Sequence, residues 1–204
     1  EFMVPLVKGF STEMSLEVTS LGVQVHGGMG FIEETGAAQY YRDAKILTIY
    51  EGTTAIQAND LVGRKTARDG GQTPKALAAQ MEKTEAELLK IGSDDAKAIA
   101  YRLAAARSAL LDVVNFIVET ASSNPNAAYA GSVPYLMLAG NVMAGWQLAR
   151  SYLVVQKHPE DAFMKAKAVT ARFYADHILS KVPGQRDSIV EGASSVTDMA
   201  LEDF

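Results

Sequence analysis

The sequence predicts an all-α protein, a helical bundle, on three observations. Apolar residues recur at spacings of three and four along most of the chain. No segment alternates convincingly with period two. Helix-starting and helix-ending residues stand where the apolar stripes begin and stop. With 204 residues and 48% hydrophobic composition, the chain holds material for one or two domains.

The first part spans 1–69. Met14, Val18, Leu21 and Val25 form an apolar stripe on a helix that Ser11 or Thr12 can cap, and the glycines at 27, 28 and 30 stop it. Thr35 can cap a short helix to Ala44. Residues 46–50 are apolar and partly β-branched, too short for a helix, and read as an extended connector. Thr54 and Gln57 fit a capping box for a helix to Ala67, and residues 69–72 read as a linker.

The second part, 73–204, is an additional helical bundle. Thr73-Pro74 pairs a cap with a proline at the first helical position, Leu77, Met81 and Leu88 share a face, and Gly92 ends that helix. Asp94 or Asp95 starts the next, with the stripe Ile99, Leu103, Ala106, Leu110, Val113, Ile117. Residues 122–126 read as a loop. Ser132 can cap a long helix to Gln156, apolar nearly all round and therefore central, with His158-Pro159 as its break. Phe163, Ala166, Val169 and Phe173 mark another helix closed by Pro183-Gly184, and a short helix is expected at 185–193.

Composition excludes several functions. Nineteen basic and 24 acidic residues give a net charge of -5 without a basic block, so neither nucleic acid nor an acidic membrane surface is an expected partner. No apolar run reaches the roughly 18 residues of a membrane span. No basic segment precedes an apolar stretch at the start, so no secretory signal is expected and the chain reads as cytoplasmic. Glu1-Phe2 ahead of Met3 reads as a cloning scar or as a cut from a longer chain. Zero cysteines exclude disulfides and thiolate chemistry, and His26, His158 and His177 are too dispersed for a metal site.

Three segments resist a packing-only explanation. In Gln24-Val25-His26-Gly27-Gly28-Met29-Gly30, the glycines let backbone approach a ligand closely, or simply end a helix. In Tyr50-Glu51-Gly52-Thr53-Thr54, Glu51 is either a solvated carboxylate favoured by a helix N-terminus or a general base that Leu47, Ile49 and Tyr50 desolvate. In Tyr40-Tyr41-Arg42-Asp43-Ala44, the Arg-Asp pair binds an anion or forms a structural ion pair.

Together these segments, with Tyr41-Arg42-Asp43-Ala44-Lys45-Ile46 and Ile49-Tyr50-Glu51-Gly52-Thr53-Thr54-Ala55-Ile56-Gln57, closely resemble the C-terminal α-helical domain of the acyl-CoA dehydrogenases. The resemblance is strong over residues 4–69, and Gln24 and Glu51 stand 27 positions apart as in the family pattern. Residues 73–204 resemble, less specifically, the extra C-terminal helical domain of larger bacterial members.

The resemblance implies a flavin-dependent oxidoreductase that converts acyl-CoA thioesters to trans-2-enoyl-CoA, as in fatty-acid or related oxidation. Glu51 would be the catalytic base for the α-proton, with the β-hydride leaving to FAD. The Glu51 backbone N–H would donate to the thioester oxygen, Gly52 would lie along the substrate, and Thr53 would contact the flavin. Gln24, Val25, His26, Gly27 and Gly28 would contact the FAD of a neighbouring subunit, which implies a homo-oligomer. Ala55 occupies a flavin-facing position where many relatives carry Gln, so one side-chain hydrogen bond is missing or supplied elsewhere. Electron-transfer flavoprotein is the implied acceptor. The family's N-terminal helical and β-barrel domains have no counterpart in the sequence, so this portion is expected to hold FAD weakly and not to turn over alone. The competing expectations are a non-catalytic helical assembly or binding module on the same scaffold, and an acyl-CoA oxidase.

Overall fold

The computed structural model describes residues 1–158, 160–200 and 202, and no strand occurs among the described residues. Pro159, expected to break the long helix, lies outside them. The elements in order are α1 (Met3–Pro5), a π-helical segment Leu6–Phe10, α2 (Ser11–Val25), α3 (Gly28–Phe31), a 3₁₀ turn Glu33–Thr35, α4 (Ala37–Leu47), α5 (Thr54–Asp60) and a second π-helical segment Leu61–Ala67. There follow α6 (Gln72–Ile91), α7 (Asp94–Thr120), α8 (Pro125–Ala130), α9 (Ser132–Val155), α10 (Ala162–His177), a 3₁₀ turn Leu179–Lys181, α11 (Val182–Val190) and α12 (Ala193–Thr197).

The bundle forms as its periodicity predicts. All six members of the α7 stripe, Ile99 to Ile117, are buried, and α7 packs on α6, α9, α10 and α11. Its 27 residues make a rod about 40 Å long, which the other helices share as a spine. Helix α9 is buried nearly all round, as its composition requires, and touches α5, α7, α10, α11 and the first π-helical segment. Two of the polar clusters inside this core are satisfied internally. Trp146 donates to Thr84 at 2.9 Å, and Arg107 grips the buried Glu85 carboxylate with two bonds of 2.8 and 2.9 Å.

The first part is seated on α9. Leu6, Ala58, Leu61 and Val62 belong to the same apolar core as α7 and α9, and Thr66 shares a 2.9 Å hydrogen bond with the fully buried Tyr135 hydroxyl. A Cβ on Gly140 would lie 2.2 Å from the Phe10 ring, so α9 carries glycine where the N-terminal helix crosses it.

Several helix starts differ from the expectation. The N-terminal helix is already running at Met3, so Thr12 lies inside it and its hydroxyl bonds back to Lys8 O at 2.8 Å. Gly36 (φ 76°) takes the cap expected of Thr35. Asp69 accepts from Thr73 N at 2.6 Å, so α6 begins at Gln72 rather than at Pro74. Ser93 caps α7 ahead of Asp94 and Asp95, and Asn124 caps α8 where a loop is expected. Ser132 is the first helical residue of α9 rather than its cap. Pro183 opens α11, which occupies Val182–Val190 instead of 185–193.

Two stripes form helices but face outward. On α2, Val18, Leu21 and Val25 are exposed, the last at 85%. On α10, Phe163, Val169 and Phe173 are exposed while Ala171 and Ala175 make the buried seam against the bundle.

Candidate active site

Helices α2 and α4 lie side by side, and the turn that leaves α4 carries Glu51. Residues 46–50 are not extended. Ile46 and Leu47 finish α4, and the amides of Ile49 and Tyr50 both return to Ile46 O, at 3.0 and 3.2 Å. The turn closes when Thr54 N donates to Thr48 O at 3.2 Å. Lys8 secures its entry, donating to Leu47 O at 2.7 Å with its ammonium 5.6 Å from the Tyr50 ring centroid. Glu13 secures its exit, accepting the Thr54 hydroxyl.

Between these anchors Glu51 has φ 50°, the only non-glycine residue at positive φ among the described residues. A Glu there is strained by about 1–2 kcal/mol, a cost that persists only where the surroundings enforce it. Gly52 follows at φ 93°, and a Cβ on it would lie 2.8 Å from Gln57 Nε2. Thr53, not Thr54, is the helix cap and accepts from Ile56 N at 3.4 Å. The capping pair is therefore one residue earlier than expected, and the Gln57 side chain lies over Gly52.

Among the described residues no acceptor takes the amide N–H of Glu51 or Gly52. The turn thus presents an exposed carboxylate beside unengaged N–H donors. Tyr50 and Ile49 beside it are also exposed, so within this chain Glu51 is the solvated carboxylate of the two readings the sequence left open.

Residues 24–28 sit at the other end of α2. Eleven residues separate Glu13 from Gln24, about 16 Å of helix, so the two segments do not line one cavity of this chain. Gly27 breaks the helix at φ 60°, His26 Nδ1 is 2.9 Å from Gly22 O, and a Cβ on Gly27 or Gly28 would meet nothing within 4 Å. Residues 24–29 are exposed. This strip of open backbone and the Gln24 amide fit an extended polar cofactor lying across the surface. The Arg42 guanidinium bonds Glu33, at 2.6 and 2.7 Å, rather than Asp43; the pair is exposed. No cluster that could hold a metal ion, and no helix long and apolar enough to cross a membrane, occurs among the described residues.

Comparison with known families matches residues 77–200 to the family described as Acetyl-CoA dehydrogenase C-terminal like, and residues 2–65 to Acyl-CoA dehydrogenase, C-terminal domain. This chain belongs to the acyl-CoA dehydrogenase family. Among its relatives, the 3-methylmercaptopropionyl-CoA dehydrogenase of Ruegeria pomeroyi is 52% identical over 205 residues, covering 98% of this chain and 35% of that protein. A broad-specificity linear acyl-CoA dehydrogenase of Mycobacterium tuberculosis is 31% identical over 208 residues, covering 93% of this chain and 33% of that protein. Subunit CarC of the caffeyl-CoA reductase-Etf complex of Acetobacterium woodii is 40% identical over 52 residues, 26% of this chain and 14% of that protein. The chain spans about a third of the length of the first two relatives.

The family is one of flavin-dependent oxidoreductases, and both of its C-terminal helical regions are present here. Two residues at the acyl-CoA dehydrogenase turn escaped the sequence reading, Lys8 and Glu13. Lys8 is the only Lys or Arg before Arg42, a lone cation in an apolar stretch, and that was the available signal.

Proposed function

We propose that this chain is the base-bearing C-terminal part of an FAD-dependent acyl-CoA dehydrogenase whose substrate is 3-methylmercaptopropionyl-CoA. The observation that carries the reaction type is the strained Glu51 turn, where a carboxylate and free N–H donors share one exposed surface. The substrate follows the printed activity of the relative that is 52% identical across 98% of this chain. Residues 1–69 form part of the base-bearing domain and 73–204 an additional bundle that braces it.

In this reading the Glu51 carboxylate takes the α-proton of the thioester. The Glu51 N–H donates to the thioester oxygen as negative charge develops there. Gly52 leaves room for the acyl chain beside the turn. Gln24, Val25, His26, Gly27 and Gly28 hold FAD of a neighbouring subunit, while Thr53 and the Ala55 position face the chain's own FAD. FAD held there would supply the hydride acceptor for the hydrogen that leaves the β-carbon. Domains outside this chain exclude water from the base. An electron-transfer flavoprotein takes the electrons onward, in keeping with the Etf partner in the name of the Acetobacterium relative.

Replacing Glu51 by Gln in the complete protein tests this. FAD content should stay stoichiometric while dehydrogenation falls by about 10³-fold or more; a near-normal rate would move the base elsewhere. With the unaltered protein, 3-methylmercaptopropionyl-CoA should be turned over faster than pentanoyl-CoA, which has a methylene in place of the sulfur. Equal or reversed rates would remove the substrate assignment and leave the reaction class standing.

A further inference from the structure

We propose that Lys8 and Glu13 are positioning residues for the Glu51 turn, and that the π-helical segment Leu6–Phe10 exists in the fold to align them. The inference rests on Glu51 being the base. Lys8 and Glu13 are five residues apart. In a regular α-helix that spacing places two side chains about 140° apart, on different faces. Lys8 lies within the π-helical segment Leu6–Phe10, whose wider turn narrows that angle and brings Glu13 toward the face of Lys8. Both side chains therefore reach the same turn, Lys8 at Leu47 O (2.7 Å) and Glu13 at the Thr54 hydroxyl. Thr12 serves the widened turn as well, its hydroxyl donating to Lys8 O at 2.8 Å and Gly9 O at 3.1 Å.

The two contacts bracket the residue that needs holding. Leu47 precedes the turn and Thr54 follows it; Glu51, with its φ of 50°, lies between. A strained backbone relaxes unless neighbours over-determine it. The Thr54 N to Thr48 O bond closes the loop but pulls on only one edge. Adding Lys8 at the entry and Glu13 at the exit ties both ends of the turn to one face of a rigid helix. Lys8, Glu13 and Thr54 are all half-buried, so these contacts are partly shielded from water. Glu13 is paired to a hydroxyl rather than to a cation, and its role is the direction of that bond.

The test uses the complete FAD-loaded enzyme with Glu13→Ala, Thr54→Val, Thr54→Ser and Lys8→Met, and Glu51→Gln as the control. Glu13→Ala and Thr54→Val should lower kcat per bound flavin by about 10- to 100-fold with KM within about two-fold, because a misplaced base costs rate rather than binding. Thr54→Ser keeps the hydroxyl and should restore most of the rate. The isotope effect with α-deuterated substrate should rise in the slow variants, since proton removal becomes limiting. A merely structural role would lower flavin content or Tm and leave rate per flavin and the isotope effect unchanged. If Glu51→Gln is inactive while Glu13→Ala and Lys8→Met keep wild-type kcat per flavin and isotope effect, the positioning role is wrong and the base assignment survives. If Glu51→Gln is active, both fall.

Discussion

Helices α2 and α7 read alike in sequence, each with an apolar stripe at helical spacing, yet α7 buries ten residues and α2 buries none. Periodicity specifies a helix and the face it would cover. It does not specify what lies against that face. In the bundle, α6, α9, α10 and α11 supply the cover. Around α2 and α4, Val25, Phe31, Ile32 and Ile46 are left bare. Exposed apolar surface of this kind marks an interaction face. The bundle covers the α7 stripe, whereas α2 and, within the bundle, α10 leave theirs exposed.

That contrast can be broken by mutation, beginning in the bundle. Leu110→Ala should cost about 4 kcal/mol of unfolding free energy, read from urea melts, since Leu110 is fully buried and leaves a cavity. A loss below about 1 kcal/mol would mean that the bundle core is loosely packed. Arg107→Ala strands the buried Glu85 carboxylate and should cost about 3 kcal/mol. Glu51→Gly should instead raise stability by about 0.5–1 kcal/mol by relieving the positive φ, while abolishing proton abstraction in the complete protein. Destabilisation there would show that the side chain, not the turn, is what the fold holds.

An alkaline titration probes the α10 side of the bundle. Burial, with Glu17 nearby adding to it, pushes the Tyr174 phenol up to about 12. The folded state favours the protonated phenol, so this contribution is complete below pH about 10 and is lost as pH rises through about 12. Tyr174→Phe should flatten that part of the stability profile, and an unchanged slope would place the alkaline loss elsewhere. The smallest effect belongs to the open region. Leu21→Ser should stay within about 0.5 kcal/mol in this chain, because Leu21 is already exposed at 57%. A large loss would reveal cover that the structure lacks.

The fold class was legible because helical spacing is a local property. So was the α7 stripe, whose members all turn inward, and so was the central place of α9, whose composition leaves no face for solvent. The Glu51 turn was legible as a motif, through Glu51 and its neighbours. Its geometry was not. The anchoring by Lys8 and Glu13 depends on groups about forty residues away, and the cap at Thr53 and the helical path through Ile46 and Leu47 on which of several local hydrogen bonds wins. The stripe Phe163 to Phe173 located α10 but not the face it buries: Ala171 and Ala175 make the seam against the bundle.

Residue order therefore settled which segments are helical and where glycine must interrupt them, since each depends on neighbours within a turn or two. Folding alone decided which apolar stripes are covered, which hydroxyl caps α5 and how a one-residue π insertion brings Lys8 and Glu13 to bear on Glu51. Those outcomes depend on packing and hydrogen bonds between distant segments, whose competition becomes defined only when the helices meet.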